Sequence, residues 1–160
     1  MQAYCAKRLP AGKPEDYHWD WQQKAGWWRP LLGYHSFALL CRNELQGMML
    51  VSDFNSARLQ EHFGKPIVYV VFLATAPWNR PEFQKPTRYR GVGSMMIRAA
   101  VELSFDLGFR GRIALHSLPA AELFYRDNCK MTELGADAAH QDLMYFEMTS
   151  NQAETFRQRP

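Results

Sequence analysis

Seven apolar residues in unbroken succession, Ile67-Val68-Tyr69-Val70-Val71-Phe72-Leu73, place the tightest constraint on what this chain can fold into. A short run that is apolar at both odd and even positions is a strand covered on both faces, so it belongs in the middle of a sheet. Even extended to Ala74 it is far short of the roughly 20 residues a membrane-spanning helix needs. From Gly93 onward the period changes from 2 to 3.6. Val92, Met96, Ala99, Leu103 and Leu107 recur at three- or four-residue intervals, the stripe of an amphipathic helix. Gly108 stops that helix.

The other segments arrange themselves around this strand and helix. Residues 36–41 and 45–51 are apolar runs on either side of the polar Arg42-Asn43-Glu44, which predicts an antiparallel hairpin. A short helix is expected over Ser56–Phe63, a loop over Pro77–Tyr89, a strand over Ile113–His116, a helix over Pro119–Asp127 and a last strand over Leu143–Met148. Pro14-Glu15-Asp16 has the composition of a helix start. Helix and strand alternate so that one strand–helix–strand passage is a parallel crossover. The expected fold is therefore α/β (α+β): a mixed, mostly antiparallel sheet with one parallel crossover and helices on both faces. At 160 residues the chain is expected to be one domain spanning 1–160, with a variable N-terminal part (1–35) and a loose tail (150–160).

Composition excludes several classes. With 47% hydrophobic and 14% aromatic residues, the chain is not a disordered tail. Its three cysteines, Cys5, Cys41 and Cys129, are far apart and form no zinc-type cluster, so no metal is expected. They suit a reducing compartment, and no apolar run follows the first charges. A cytoplasmic protein with no membrane association is expected. Trp19, Trp21, Trp27 and Trp28 form an aromatic cluster that serves equally as core or as the wall of a pocket. A net charge of +3 is too mild for a nucleic-acid binder. It is unevenly spread: residues 80–112 hold seven cations and three acids, and the rest of the chain twelve and thirteen.

The excess surrounds Arg88-Tyr89-Arg90-Gly91-Val92-Gly93-Ser94, where loop becomes helix. A helix start presents unpartnered N–H groups and partial positive charge, and glycines let an anion approach the backbone. A phosphate or pyrophosphate suits such a site. No Lys follows Gly93, so this is not a Walker loop, and Met96 breaks the dinucleotide fingerprint G-x-G-x-x-G.

The remaining pattern, R-x-x-G-x-G at Arg88, Gly91 and Gly93, resembles the motif of the GNAT superfamily of acyl-CoA-dependent N-acetyltransferases. The strand end Phe72-Leu73-Ala74-Thr75-Ala76-Pro77 and the downstream Ala121-Glu122-Leu123-Phe124-Tyr125-Arg126 are also similar to the family's, and the likeness runs over about residues 36–148. Pro77-Trp78-Asn79-Arg80 further resembles a bacterial subgroup with an A-P-W-N signature. The resemblance implies a GNAT-like sheet and transfer of acetyl from acetyl-CoA to a primary amine of a small acceptor, with homodimers frequent in such folds. By position it assigns the backbone of Leu73, Ala74 and Thr75 to the pantetheine and thioester. It assigns Arg88, Tyr89, Arg90, Gly91, Val92, Gly93 and Ser94 to the pyrophosphate. Tyr125 would protonate the leaving thiolate. Trp21, Trp78 and Asn79 are candidate acceptor contacts.

Two features depart from the family pattern. Ten residues, Trp78 to Thr87, separate Pro77 from Arg88, where the family usually has a couple; they are expected at the pocket rim. Many members carry a carboxylate base on the central strand, whereas Val68–Ala76 has none. His116 is the nearest substitute by type and position, with Glu82 and Asp53 weaker candidates in polar loops. The missing carboxylate leaves an alternative open: a non-catalytic acyl-CoA-binding sensor or interaction module.

Overall fold

The computed structural model describes residues 32–159. The expected N-terminal helix, Cys5, Trp21 and the other N-terminal tryptophans lie outside the described residues. Among the described residues six strands form one sheet: β1 (Tyr34–Cys41), β2 (Glu44–Ser56), β3 (Pro66–Thr75), β4 (Ile113–Ser117), β5 (Thr132–Asp137) and β6 (Leu143–Met148). Their order is β1-β2-β3-β4-β6-β5. All neighbours are antiparallel except β3 and β4. This is the mixed sheet with one parallel crossover, and the crossover runs through helix α1 (Val92–Asp106).

The hairpin turn is Arg42-Asn43, both at positive φ (52° and 61°), the geometry whose twist matches that of the flanking strands. The seven-residue apolar run is indeed interior to the sheet. Val68 and Val70 enter the larger core with Ile97, Ala100, Val101, Leu115 and Phe146, while Ile67 and Tyr69 belong to a smaller cluster with Ala57, Ala114 and Tyr145. Alternation along β3 and β4 puts these two clusters on opposite faces. Helix α1 buries Met96, Ile97, Ala100, Val101 and Ser104. Ala99, Leu103 and Leu107 of the expected stripe pack only partly buried against that core. The buried face is thus rotated from the predicted one and includes Ser104, whose hydroxyl donates to Arg112 C=O at 2.8 Å.

Three segments differ from expectation. The short helix over Ser56–Phe63 is reduced to a single 3-10 turn, Gln60–His62, because β2 continues to Ser56. The helix expected over Pro119–Asp127 begins as a 3-10 turn (Pro119–Ala121) and widens into a π turn over Phe124–Asn128, where Cys129 N–H donates to Phe124 C=O at 3.0 Å. The tail expected to be loose forms helix α2 (Ser150–Arg157), burying Ala153 and Phe156 in the same core as α1. Its stability is local as well as tertiary. Thr149 Oγ1 accepts from Gln152 N–H (3.2 Å) and Gln152 Oε1 accepts from Thr149 N–H (2.8 Å), a capping box hidden in a polar stretch. Thr149→Ala should lower stability by about 1 kcal/mol, read from the urea midpoint, while Thr149→Ser should retain most of it.

Candidate functional site

Two features of β3 build the site. Val68 N–H donates to Arg112 C=O (3.2 Å), toward β4, whereas Ala76 N–H donates to Gln46 C=O (2.8 Å), toward β2. In a regular strand, residues an even number apart turn their peptide groups to the same edge. These two disagree because β3 holds one extra residue. Phe72 stands opposite Leu50 and Val70 opposite Val51, which leaves Val71 as a bulge. Beyond it, Leu73 and Thr75 turn their peptide groups toward β4. There β4 has parted from β3, for the parallel ladder pairs only Val68–Val70 with Ile113–Leu115. The two parallel strands therefore open into a wedge whose β3 edge offers Leu73 and Thr75. Thr75 C=O already accepts from Arg80 Nε at 3.0 Å, which leaves Leu73 as the better-placed carbonyl and amide.

The helix start lies beside this wedge. Gly91 caps α1 at φ 78°, ψ 2°, a left-handed conformation that side chains disfavour, although a Cβ there would meet nothing. Gly93 is required for the other reason: a Cβ would sit 3.1 Å from Phe124 Cζ. The first helical bond is Met95 N–H to Gly91 C=O (2.9 Å), and no side chain caps the end. The amides of Val92, Gly93 and Ser94 therefore project from the helix start with its partial positive charge. Tyr89 N–H is engaged by Asn79 Oδ1 (3.0 Å) and Arg88 N–H by Trp78 C=O (2.9 Å). Arg88 reaches Glu44 at 2.6 Å, while Arg90 is exposed at the helix start. Two other cations of the basic stretch are used elsewhere. Arg98 binds the carbonyls of Arg157 and Arg159, and Arg112 is buried with Nε on Pro66 C=O (3.0 Å).

Trp78 and Asn79, candidate acceptor contacts, hold the loop in place. Trp78 Nε1 donates to Gln46 Oε1 (2.9 Å), and Asn79 Nδ2 donates to the same oxygen (3.0 Å). Gln46 is buried in β2 and was not singled out by its sequence, since a glutamine in a hairpin strand gives no signal of burial. The ten-residue insertion therefore closes at its base, through Arg88 N–H on Trp78 C=O, and is tied to β2 by the Gln46 side chain and to β3 by Arg80 Nε on Thr75 C=O. Gln46→Leu removes the side-chain oxygen that accepts from both Trp78 Nε1 and Asn79 Nδ2. It should cost about 1–3 kcal/mol in urea unfolding.

Tyr125 lies in the π turn, buried, with its ring 5.1 Å from Phe124 and 5.9 Å from Phe146. Burial raises its pKa, so the phenol keeps its proton. Phe124 links this turn to Gly93, so the helix start and the tyrosine are neighbours. His116 is on the opposite face of the sheet. Its Nδ1 lies 2.7 Å from Tyr69 Oη, and its Nε2 lies 2.9 Å from Asp137 Oδ2. Glu82 is exposed in the loop, and Asp53 pairs with His35 at 2.8 Å.

Asp137, on the edge strand β5 that the sequence did not reveal, also receives Arg58 Nη1 at 2.6 Å and His140 Nδ1 at 3.0 Å. Arg58 and His116 hold its carboxyl well below the usual range. His116, Asp137 and His140 bring ligand-type atoms within 4.8 Å of one another, but the Arg58 cation already occupies the shared carboxylate oxygen. Among the described residues, no helix is long and apolar enough to cross a membrane.

No family model matches the chain, and no curated protein matches it in sequence. Solved structures do resemble it. An aminoglycoside acetyltransferase AAC(6')-Ib, in complex with coenzyme A and kanamycin, superposes with a TM-score of 0.53 at 16% identity over 78% of this chain and 72% of that one. A bacterial toxin superposes at 0.63 with 14% identity, over 91% and 82%. A tyrosine-to-phenylalanine mutant of the toxin AtaT, bound to the C-terminus of the antitoxin AtaR and acetyl-CoA, superposes at 0.56 with 12% identity, over 90% and 82%. The fold is that of the GNAT acetyltransferases.

Proposed function

We propose that this chain is an acetyl-CoA-dependent N-acetyltransferase that passes the acetyl group directly to a primary amine of a small acceptor. The observation that carries this reading is the wedge between β3 and β4, where the Val71 bulge turns Leu73 and Thr75 toward an edge beyond the end of the β4 ladder. A thioester lying along that edge would have its carbonyl polarised by a backbone amide of β3. The projecting amides of Val92, Gly93 and Ser94, with Arg90 beside them, suit a pyrophosphate. Tyr125, a neighbour of that helix start through Phe124, would give its proton to the departing sulfur. Acetyl-CoA-bound and coenzyme A-bound proteins of the same fold support the cosubstrate.

Acetyl-CoA titrated calorimetrically should bind with one site per chain. Release of coenzyme A thiol should follow when an aminoglycoside, a polyamine and a peptide α-amine are offered in turn. Absence of binding would overturn the reading. Binding without thiol release across that panel would instead favour the acyl-CoA-binding module, which the lack of a carboxylate between Val68 and Ala76 favours.

A further inference from the structure

An amine acceptor is protonated at neutral pH and must shed protons before and during transfer, yet the central strand offers no carboxylate to take them. His116 cannot take one directly. Its side chain is 4% exposed and both ring nitrogens are engaged. The partners themselves fix the protonation pattern. Asp137 is ionised, held so by Arg58 and by His116, so its Oδ2 can only accept. His116 Nε2 must therefore carry the hydrogen, which leaves Nδ1 as an acceptor and makes Tyr69 Oη–H the donor. The Tyr69 oxygen retains its lone pairs for a further donor. Tyr69 is also the residue with a polar tip in the apolar run of β3.

The location fits. Tyr69 and His116 stand at the point where the parallel ladder ends, Val70 with Leu115, so the wedge opens from this pair. Leu73 lies four residues farther along β3, about 13 Å at the strand rise. We propose that Tyr69, His116 and Asp137 form a proton relay that serves as the general base for the acceptor amine, resting on the acetyltransferase reading above. As the amine nitrogen bonds to the thioester carbon, its proton passes through water in the wedge to Tyr69 Oη, and the Tyr69 hydroxyl proton passes to His116 Nδ1. The imidazolium so formed donates through Nε2 to Asp137. The carbon–sulfur bond breaks and the thiolate takes the Tyr125 proton. Exchange with solvent then restores both tyrosine and histidine. Tyr69 is the acceptor end of the relay, His116 takes the Tyr69 proton, and Asp137 holds and positions the imidazole.

Burial, the largest influence, and the His140 ring stacked 3.9 Å away lower the His116 pKa, against the raising effect of Asp137. The resting imidazole is then neutral at pH 7. The charged and titratable groups around it are Asp137 at the end of β5 and His140 beyond it, Arg58 after β2, Tyr69 on β3, and Tyr145 and Glu147 on β6. Glu147 is occupied by Leu59 N–H (3.0 Å) and Tyr145 Oη (2.9 Å), and the Arg58 guanidinium covers the Tyr145 ring at 4.1 Å. None of these competes with Tyr69 for Nδ1.

The test compares the wild type with Tyr69→Phe. Coenzyme A thiol release on the amine panel should fall about 10²-fold in kcat, with acetyl-CoA affinity by calorimetry unchanged. The wild-type kcat should drop on the acid side with a midpoint below 6.5, and the variant should lose that limb. Imidazole nitrogen shifts of His116 should report the Nε2–H form in the wild type. Thiol release and a pH profile equal to wild type in Tyr69→Phe, or a Nδ1–H imidazole, would overturn the relay and leave the acetyltransferase reading standing. A wild type that releases no thiol with any amine would overturn both.

Discussion

Tyr125→Phe should slow acetyl transfer by about 10²–10⁴-fold while acetyl-CoA affinity and thermal stability stay close to wild type. The phenol is buried in a π turn, and burial holds its proton on. A tyrosine whose pKa is raised looks like a poor acid for a thiolate. The comparison must be made in the same surroundings, however, and Cys129, four residues on, reports them. Burial pushes its thiol up to about 12. A coenzyme A sulfur leaving into this desolvated region would have its basicity raised in the same sense, so the proton moves between groups shifted together. Phe preserves the ring contacts with Phe124 and Phe146, so only the transferable proton is lost. Stopped turnover with weakened acetyl-CoA binding would instead mean that the hydroxyl holds the cosubstrate, and undiminished turnover would remove Tyr125 as the acid.

Much of this architecture is visible in the residues themselves. The doubly apolar β3 run, the switch to helical spacing at Gly93 and the R-x-x-G-x-G pattern are local signals, and local signals survive in a single sequence. What was hidden depends on contacts between distant segments. Strand β5 alternates poorly and carries Gly135, so nothing in Thr132–Asp137 announces an edge strand. Helix α2 is mostly polar, and its buried Ala153 and Phe156 make sense only once α1 lies beside them. The Val71 bulge cannot be read from Val70-Val71-Phe72, because it is a mismatch of register with β2. Likewise, His116 could be singled out by type, but its two partners come from β3 and from the edge of β5. They turn it from an isolated histidine into the middle of a hydrogen-bonded chain. Trp78 and Asn79 show the converse. They stand in a memorable motif, whereas Gln46, with no motif at all, explains where they sit.

Gly93→Val should weaken acetyl-CoA binding by at least tenfold and in the same step reduce turnover. Two effects combine. Hydrogen bonds from backbone N–H groups to an anion are worth about 1.5–3 kcal/mol each, and a β-branched side chain on the first turn of α1 screens those of Gly93 and Ser94 from a phosphate. The loss of one such bond is already about tenfold. The second effect comes from the other side of the glycine. A Cβ would approach Phe124 Cζ to 3.1 Å, tighter than ordinary contact, so the ring must yield and carry the Tyr125 turn with it. The two consequences separate experimentally. Gly93→Ala adds the Cβ without the branching methyls, so it should disturb Phe124 while shielding the amides less. Calorimetry with acetyl-CoA should therefore rank wild type, Ala and Val in falling affinity. Turnover at saturating acetyl-CoA should already decline in the Ala variant, because there the displaced Phe124 acts on Tyr125. Equal affinity in all three proteins would show that no phosphate approaches the start of α1, and would remove the helix N-terminus from the site.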